Sequence, residues 1–252
     1  MSIPAELRAD GVLIITGGSR GIGAATAKLA AQRGWRVVTT YATRGDDAEA
    51  VVREIKAVGG QAVTLQADTA VEADVKRTFD TAEKHFGPVT GLVNNAGVNG
   101  GTNKLVDIPV ADMRRLFDVN VIGLMMCVQE AARRMGTDRG GKGGTIVNIG
   151  SVGARLGSPG ERVHYAGSKG AVISMTTGMA KELITSGIRV NCVSPGLTET
   201  EMNPPERLAR LTPSIPIKRV ADPIEMARTI LFLLSPESSY IVGIDVTVSG
   251  GR

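Results

Sequence analysis

Tyr165 and Lys169 stand four residues apart in the run Tyr165-Ala166-Gly167-Ser168-Lys169. On a helix that spacing puts both side chains on one face. A phenol with a pKa near ~10 is a poor acid or base at neutral pH. A neighbouring ammonium favours the phenolate and brings the group toward general acid/base use. The small residues between the two leave room for a ligand. Random helices often carry such a pair, so the spacing is weak by itself. Ser151, directly after Gly150, adds a hydroxyl able to steady charge on a reacting oxygen.

A second constellation is Thr16-Gly17-Gly18-Ser19-Arg20-Gly21-Ile22-Gly23. Its glycine spacing is G-x-x-x-G-x-G, and it follows a β-branched run and opens a helical pattern. In that context Gly17 permits a tight exit from a strand. Gly21 lets a ligand approach the backbone, and Gly23 lets the helix lie close to the sheet. Free N–H groups at the helix start suit a pyrophosphate; the bland alternative is an ordinary tight turn. Arg20 opposes the helix dipole there, a conflict that a bound anion removes. The acid that would hold a ribose 2′-OH is missing from Val38-Thr39-Thr40-Tyr41-Ala42-Thr43-Arg44. Hydroxyls and Arg44 occupy that stretch instead. This points to NADP(H) over NAD(H), the alternative being that Arg20 and Arg44 are merely solvated.

These residues need a scaffold, and the pattern along the chain supplies one. Strands are predicted at 12–16, 35–40, 61–66, 89–93, 145–149, 188–193 and 244–248. Helices are predicted at 21–33, 46–58, 71–86, 110–135, 163–186 and 222–234. Strands alternating with helices imply parallel pairing with right-handed crossovers. The expected fold is a single α/β domain over 1–252, a doubly wound seven-stranded parallel sheet with helices on both faces. Ligands then sit at the carboxyl ends of the strands. The Gly-rich stretch 136–144 reads as a flexible loop, and the Pro-rich stretch 195–216 interrupts the rhythm.

Composition excludes other classes. Of 252 residues 32 are Gly, without a collagen period, and 42% are hydrophobic, enough for a large core. Only eight are aromatic, 4 Phe, 3 Tyr and 1 Trp. The net charge is +4, and the basic pairs Arg114-Arg115, Arg133-Arg134 and Lys218-Arg219 are scattered, so no nucleic-acid partner is expected. No apolar run approaches the ~20 residues of a membrane span. Met1–Asp10 carries charges and no apolar stretch, unlike a secretory signal. The cytoplasm is the expected compartment. Cys127 and Cys192 are isolated and read as buried free thiols. His85 and His164 have no metal-ligand spacing, and His164 stands either toward the cleft or at the periphery.

Taken together the motifs resemble the short-chain dehydrogenase/reductase family over essentially the whole chain. They are Thr16-Gly17-x-x-x-Gly21-x-Gly23, Asn94-Asn95-Ala96-Gly97, Asn120, Ser151, Tyr165-x-x-x-Lys169, and Pro195-Gly196 followed by Thr200. Within the family the chain is similar to bacterial glucose/ribitol dehydrogenase-like and 3-oxoacyl-carrier-protein reductase-like members. The resemblance implies a catalytic set of Asn120, Ser151, Tyr165 and Lys169. Tyr165 would be the proton donor and acceptor, with Ser151 on the substrate oxygen. Lys169 would bind the nicotinamide ribose and lower the Tyr165 pKa, and Asn120 would hold a water linking Lys169 to solvent. Asp68, beside Thr69, would bond the adenine amino group; the pair also suits a helix cap. Asn95, Ala96 and Gly97 would pass the adenine ribose. Pro195, Gly196, Leu197 and Thr200 would line the carboxamide. Ser19, Arg20, Ile22, Tyr41 and Arg44 complete the cofactor set with Gly17, Gly21, Gly23, Tyr165 and Lys169. A homotetramer built on the two long helices is likewise implied.

The expected activity is NADP(H)-dependent interconversion of a carbonyl and a secondary alcohol on a small molecule. Alternatives are a 3-oxoacyl thioester reductase and a non-catalytic NADPH-binding sensor or scaffold. Substrate selectivity falls to three walls, 98–104, 152–161 and 199–216, the first and last read as mobile lids.

Overall fold

In the computed structural model, which describes residues 11–252, seven parallel strands form one sheet in the order β3-β2-β1-β4-β5-β6-β7. They are β1 (Val12–Ile15), β2 (Arg36–Tyr41), β3 (Gln61–Gln66), β4 (Val89–Asn94), β5 (Gly144–Ile149), β6 (Ile188–Pro195) and β7 (Asp245–Val248). All four residues of β1 are fully buried. A strand covered on both faces reads as an unbroken apolar run, which is why Val12-Leu13-Ile14-Ile15 was legible. Residue alternation divides β1 between two cores. Val12 and Ile14 face one that includes Phe79, Leu124, Val128 and Val172. Leu13 and Ile15 face the other, with Ala27, Ala30, Val51, Ile55 and Ile230.

The helices supplying the first core are α3 (Glu72–Phe86), α5 (Leu124–Met135) and α7 (Val163–Leu183). Those supplying the second are α1 (Gly21–Gln32), α2 (Gly45–Ala57) and α9 (Pro223–Leu234). Helix α9 starts on a capping box between Asp222 and Glu225. The chain winds outward from β1 to β3, then returns to pair β4 on the other side of β1. That reversal opens a crevice above the carboxyl ends of β1 and β4.

Three regions differ from expectation. The helix predicted over 110–135 is α4 (Val110–Phe117) and α5 joined by a π-helical turn, Asp118–Gly123. The Pro-rich stretch contains a short helix, α8 (Pro205–Leu211), with Pro at its first turn, where the missing N–H costs nothing. A one-turn helix, α6 (Gly153–Leu156), follows β5. The glycines of 136–144 are tied back by Gly141 N donating to Gly136 O (2.9 Å) and Gly143 N to Met135 O (2.7 Å). A Cβ on Gly144 would lie 2.2 Å from Thr90 O, so this loop is built for close passage beside β4. The Met1–Asp10 segment lies outside the described residues. Among the described residues no helix is long and apolar enough to cross a membrane.

Candidate active site

A cleft of about 650 Å³ opens above the carboxyl ends of the central strands. Every sequence-named site residue lines it except Gly23 and Asn120, which stand behind its wall. The turn after β1 explains Gly23. A Cβ there would sit 2.3 Å from Gly17 O and 2.6 Å from Asn95 Nδ2. Gly17 and Gly21 have φ of 67° and 54°, a region that side chains disfavour. The turn is locked to the end of β4: Asn95 Nδ2 donates to Thr16 O (2.9 Å) and Gly17 O (2.8 Å). Thr16 Oγ1 in return accepts from Asn95 N (3.1 Å) and Ala96 N (3.0 Å).

Arg20 and Arg44 meet on one carboxylate. Glu201, from the segment after β6, pairs with Arg20 and lies 3.7 Å from Arg44. An anion near Arg20 was anticipated from the helix dipole; the chain supplies one of its own. Asp68 is held from two sides: its Oδ1 accepts from Ala70 N (3.0 Å), and Arg115 donates to its Oδ2 at 2.6 Å. Thr69 is buried next to Gly123. Tyr41 lies over Gly45. Leu197 is buried, and Gly196 N donates to Val248 O at 2.8 Å. Thr200 closes over Gly21, where a Cβ would come 3.1 Å from it.

Tyr165 and Lys169 occupy successive turns of α7, as their spacing required, with Lys169 Nζ 5.9 Å from the Tyr165 ring centre. Lys169 is buried and donates to Ile149 O at 2.7 Å. Desolvation pushes its pKa down to about 8. Ser151, at the end of β5, has its Oγ bonded by Gly153 N at 3.0 Å. The Tyr165 phenol departs from the expectation that Lys169 would pull its pKa down. Burial raises it, and the opposing pulls come from the Ser151 hydroxyl and then from the guanidiniums of Arg162 and Arg207. Lys169 is absent from the groups that pull on the Tyr165 phenol in this arrangement.

Asn120 lies in the π-helical turn, a device that often marks functional sites. Its Oδ1 accepts from Val98 N (2.9 Å), and its Nδ2 donates to Val98 O (2.9 Å) and Ser168 Oγ (3.1 Å). The side chain therefore fastens the segment leaving β4 onto α7. His164 fits neither position considered for it. It is buried, and its Nε2 lies 3.0 Å from Gly100 O.

A charged cluster that sequence reading did not single out joins the substrate walls. Glu161 accepts from Arg207 (3.2 Å) and from Arg210. Asn103 N donates to Glu161 O at 2.9 Å, so through Glu161 the wall at 152–161 is bonded to both of the walls read as mobile lids. Arg162 precedes α7 and donates to Thr102 Oγ1 at 3.1 Å. The i,i+3 spacing of Arg207 and Arg210 was the available signal, hidden because no helix was predicted there.

Other charged and thiol groups stay local. Arg134 is shared by Asp80, Glu83 and Glu130, and Arg219 pairs with Glu225. Both cysteines are buried and unpaired, their thiols pushed up to about 12 by burial.

A parallel sheet ordered around this crevice, with tyrosine, lysine and serine converging in it, defines a nucleotide-dependent oxidoreductase architecture. The family model described as "Enoyl-(Acyl carrier protein) reductase" matches residues 17–252. The chain belongs to the short-chain dehydrogenase/reductase family of oxidoreductases. It is 42% identical to "Uncharacterized oxidoreductase YgfF" of Escherichia coli K12, over 96% of this chain and 99% of that one. It is 37% identical to a 3-oxoacyl-[acyl-carrier-protein] reductase of Synechocystis, over 95% and 96%. Among solved structures it is similar to a short-chain dehydrogenase/reductase from Serratia marcescens (TM-score 0.90, 37% identity, 98% of each chain). A Burkholderia cenocepacia short-chain dehydrogenase in complex with NADP is similar too (TM-score 0.90, 36% identity, 98% of each chain).

Proposed function

We propose that this enzyme prefers NADP(H) to NAD(H) and interconverts a carbonyl and a secondary alcohol on a small molecule, with Tyr165 as proton donor and acceptor. The observation that carries the reading is the convergence of Tyr165, Ser151 and Lys169 in a cleft floored by the glycine turn. The cleft suits a dinucleotide: a Cβ at Gly17 would reach 3.0 Å from Ala96 Cα, so only glycine keeps that cradle open. The N–H groups starting α1 would hold the pyrophosphate. Arg20 and Arg44 would hold a 2′-phosphate, and Asp68, Thr69 and Asn95–Gly97 the adenosine end. Lys169 would hold the nicotinamide ribose, with Pro195, Gly196, Leu197 and Thr200 along the carboxamide.

A nicotinamide cofactor bound there supplies or accepts the hydride at the carbonyl carbon. In reduction, Tyr165 gives its phenolic proton to the carbonyl oxygen while the Ser151 hydroxyl hydrogen-bonds that oxygen. In oxidation the phenolate takes the proton back. Burial raises the Tyr165 pKa, which favours the protonated phenol that the reductive direction uses. Asn120 positions the Val98 backbone and would hold a water linking Lys169 to solvent.

A second reading, 3-oxoacyl thioester reduction, is favoured by the name of the Synechocystis relative. The outward apolar side chains Phe117, Ile122, Met125 and Val163 support a homotetramer packed through the α4–α5 and α7 faces. Two unpaired thiols suit a reducing compartment, in keeping with the cytoplasm. The test is turnover of a carbonyl panel with NADPH. Tyr165→Phe should retain cofactor binding and lose about 10²-fold or more in rate. Undiminished turnover in that variant would overturn the assignment.

A further inference from the structure

We infer that the carbonyl substrate is anionic, its carboxylate or phosphate held between Arg162 and Arg207 beside Tyr165. This rests on the carbonyl-reductase reading above and adds to it the substrate class.

Arg162 is 7% exposed, yet its one hydrogen bond is from Nε to Thr102 Oγ1, and it has no ion-pair partner among the described residues. Burying a guanidinium without a counter-charge is costly, so such groups are nearly always paired. The adjacent carboxylate, Glu161, is already committed. One oxygen faces Arg207 and the other Arg210. The cluster therefore holds three guanidiniums against one carboxylate.

Arg207 is also incompletely satisfied. Its Nη1 donates to Asn203 Oδ1 at 2.8 Å and its Nη2 to Glu161. Its Nε is buried with no partner. Both arginines line the same cleft as Tyr165, and the charge of each is felt at the Tyr165 phenol. Planar guanidinium forks match the geometry of a carboxylate or phosphate. An anion there would complete the charge balance that Glu161 leaves open. Held close to the proton donor, it would fix the carbonyl oxygen toward Tyr165 and Ser151. Leu211 and Met202, also in the lining, offer apolar surface for the intervening carbons.

The test uses the full chain with saturating NADPH and matched pairs of probes. 2-Oxobutanoate, 3-oxobutanoate and 4-oxopentanoate are each compared with their methyl esters, and dihydroxyacetone phosphate with dihydroxyacetone. At least one anion should exceed its neutral partner about tenfold or more in kcat/KM, mainly through KM, the scale of one charge-assisted hydrogen bond. Preference confined to the carboxylates or to the phosphate identifies the anion. Arg162→Gln should bring the ratio toward one, and Arg162→Lys should recover part of it. A change in Tyr165 alone would lower both members of a pair together and leave the ratio intact. If Arg162→Gln does not fold, Arg207→Gln and the parent's own ratio decide. Neutral partners reduced as well as every anion would overturn the inference while leaving the carbonyl-reductase reading standing. If no probe turns over, calorimetry with NADP-loaded protein and 3-hydroxybutanoate against its methyl ester decides. Acid-selective binding lost in Arg162→Gln supports the anion site, and its absence overturns the site, while the carbonyl panel decides the reductase reading.

Discussion

The Glu201 carboxylate pairs with the Arg20 guanidinium across 181 positions of sequence, joining the start of α1 to the segment after β6. Glu201 also lies 3.7 Å from Arg44, the other cation proposed for a 2′-phosphate. A phosphate entering there competes with Glu201 for both. Glu201→Gln should therefore tighten NADPH binding by about two- to fivefold, the modest scale of half-exposed ion pairs. NADH, without the extra phosphate, should change less. Fluorescence titration of both cofactors checks this, and a looser NADPH complex in the variant would contradict it.

Arg20→Ala and Arg44→Ala test the same corner from the opposite side. Each should weaken NADPH by about tenfold, as expected for a charge-assisted phosphate contact, and narrow its advantage over NADH. Equal affinity of the parent for the two cofactors would refute the preference.

Tyr165 offers a pH readout. Burial raises its phenol, so the Tyr165 step should lie above the ordinary ~10 in an ultraviolet titration read as the difference between the parent and Tyr165→Phe. A nearby positive charge favours the phenolate, hence Arg162→Gln should move that step to still higher pH. The reductive rate, which needs the protonated phenol, should fall only on the alkaline side. A step left unmoved in Arg162→Gln would show that the two groups do not interact.

Asn120 makes a third kind of prediction. Replacing it by Ala leaves the Val98 N–H and C=O without their side-chain partner. The expected loss is about 1 kcal/mol in unfolding free energy, the scale of a net hydrogen bond for these partly buried groups. Turnover should fall as well, because Gly97 and Val98 border the cleft. Chemical denaturation and steady-state rates measure the two effects separately.

The central strands were legible because they are apolar runs buried on both faces, as β1 is, and β3 lies at the 61–66 expected for it. Tyr165, Lys169 and Ser151 were legible because their relationship is local: one helix face, and one position after a strand. The π-helical turn at Asp118–Gly123 was not, since a hydrogen-bond slip leaves the apolar spacing of the flanking helices intact. Helix α8 was masked by Pro204 and Pro205, residues that usually stop helices but here start one. The partners of Glu161 and Glu201 were invisible for a different reason. Ion pairs spanning 46 and 181 positions have no periodic trace and exist only once the loops have been brought together.

The adjacency of β1 and β4 also sets an order of events during folding. Thr16 and Asn95 are 79 positions apart, and their mutual bonds close a loop of that length. Loop closure on that scale is slow compared with forming helices. Emerging from a ribosome, the glycine turn exists as chain long before it exists as a binding surface. A nucleotide can therefore stabilise this protein only after its central pair of strands has closed, and it cannot act as a template for the first half.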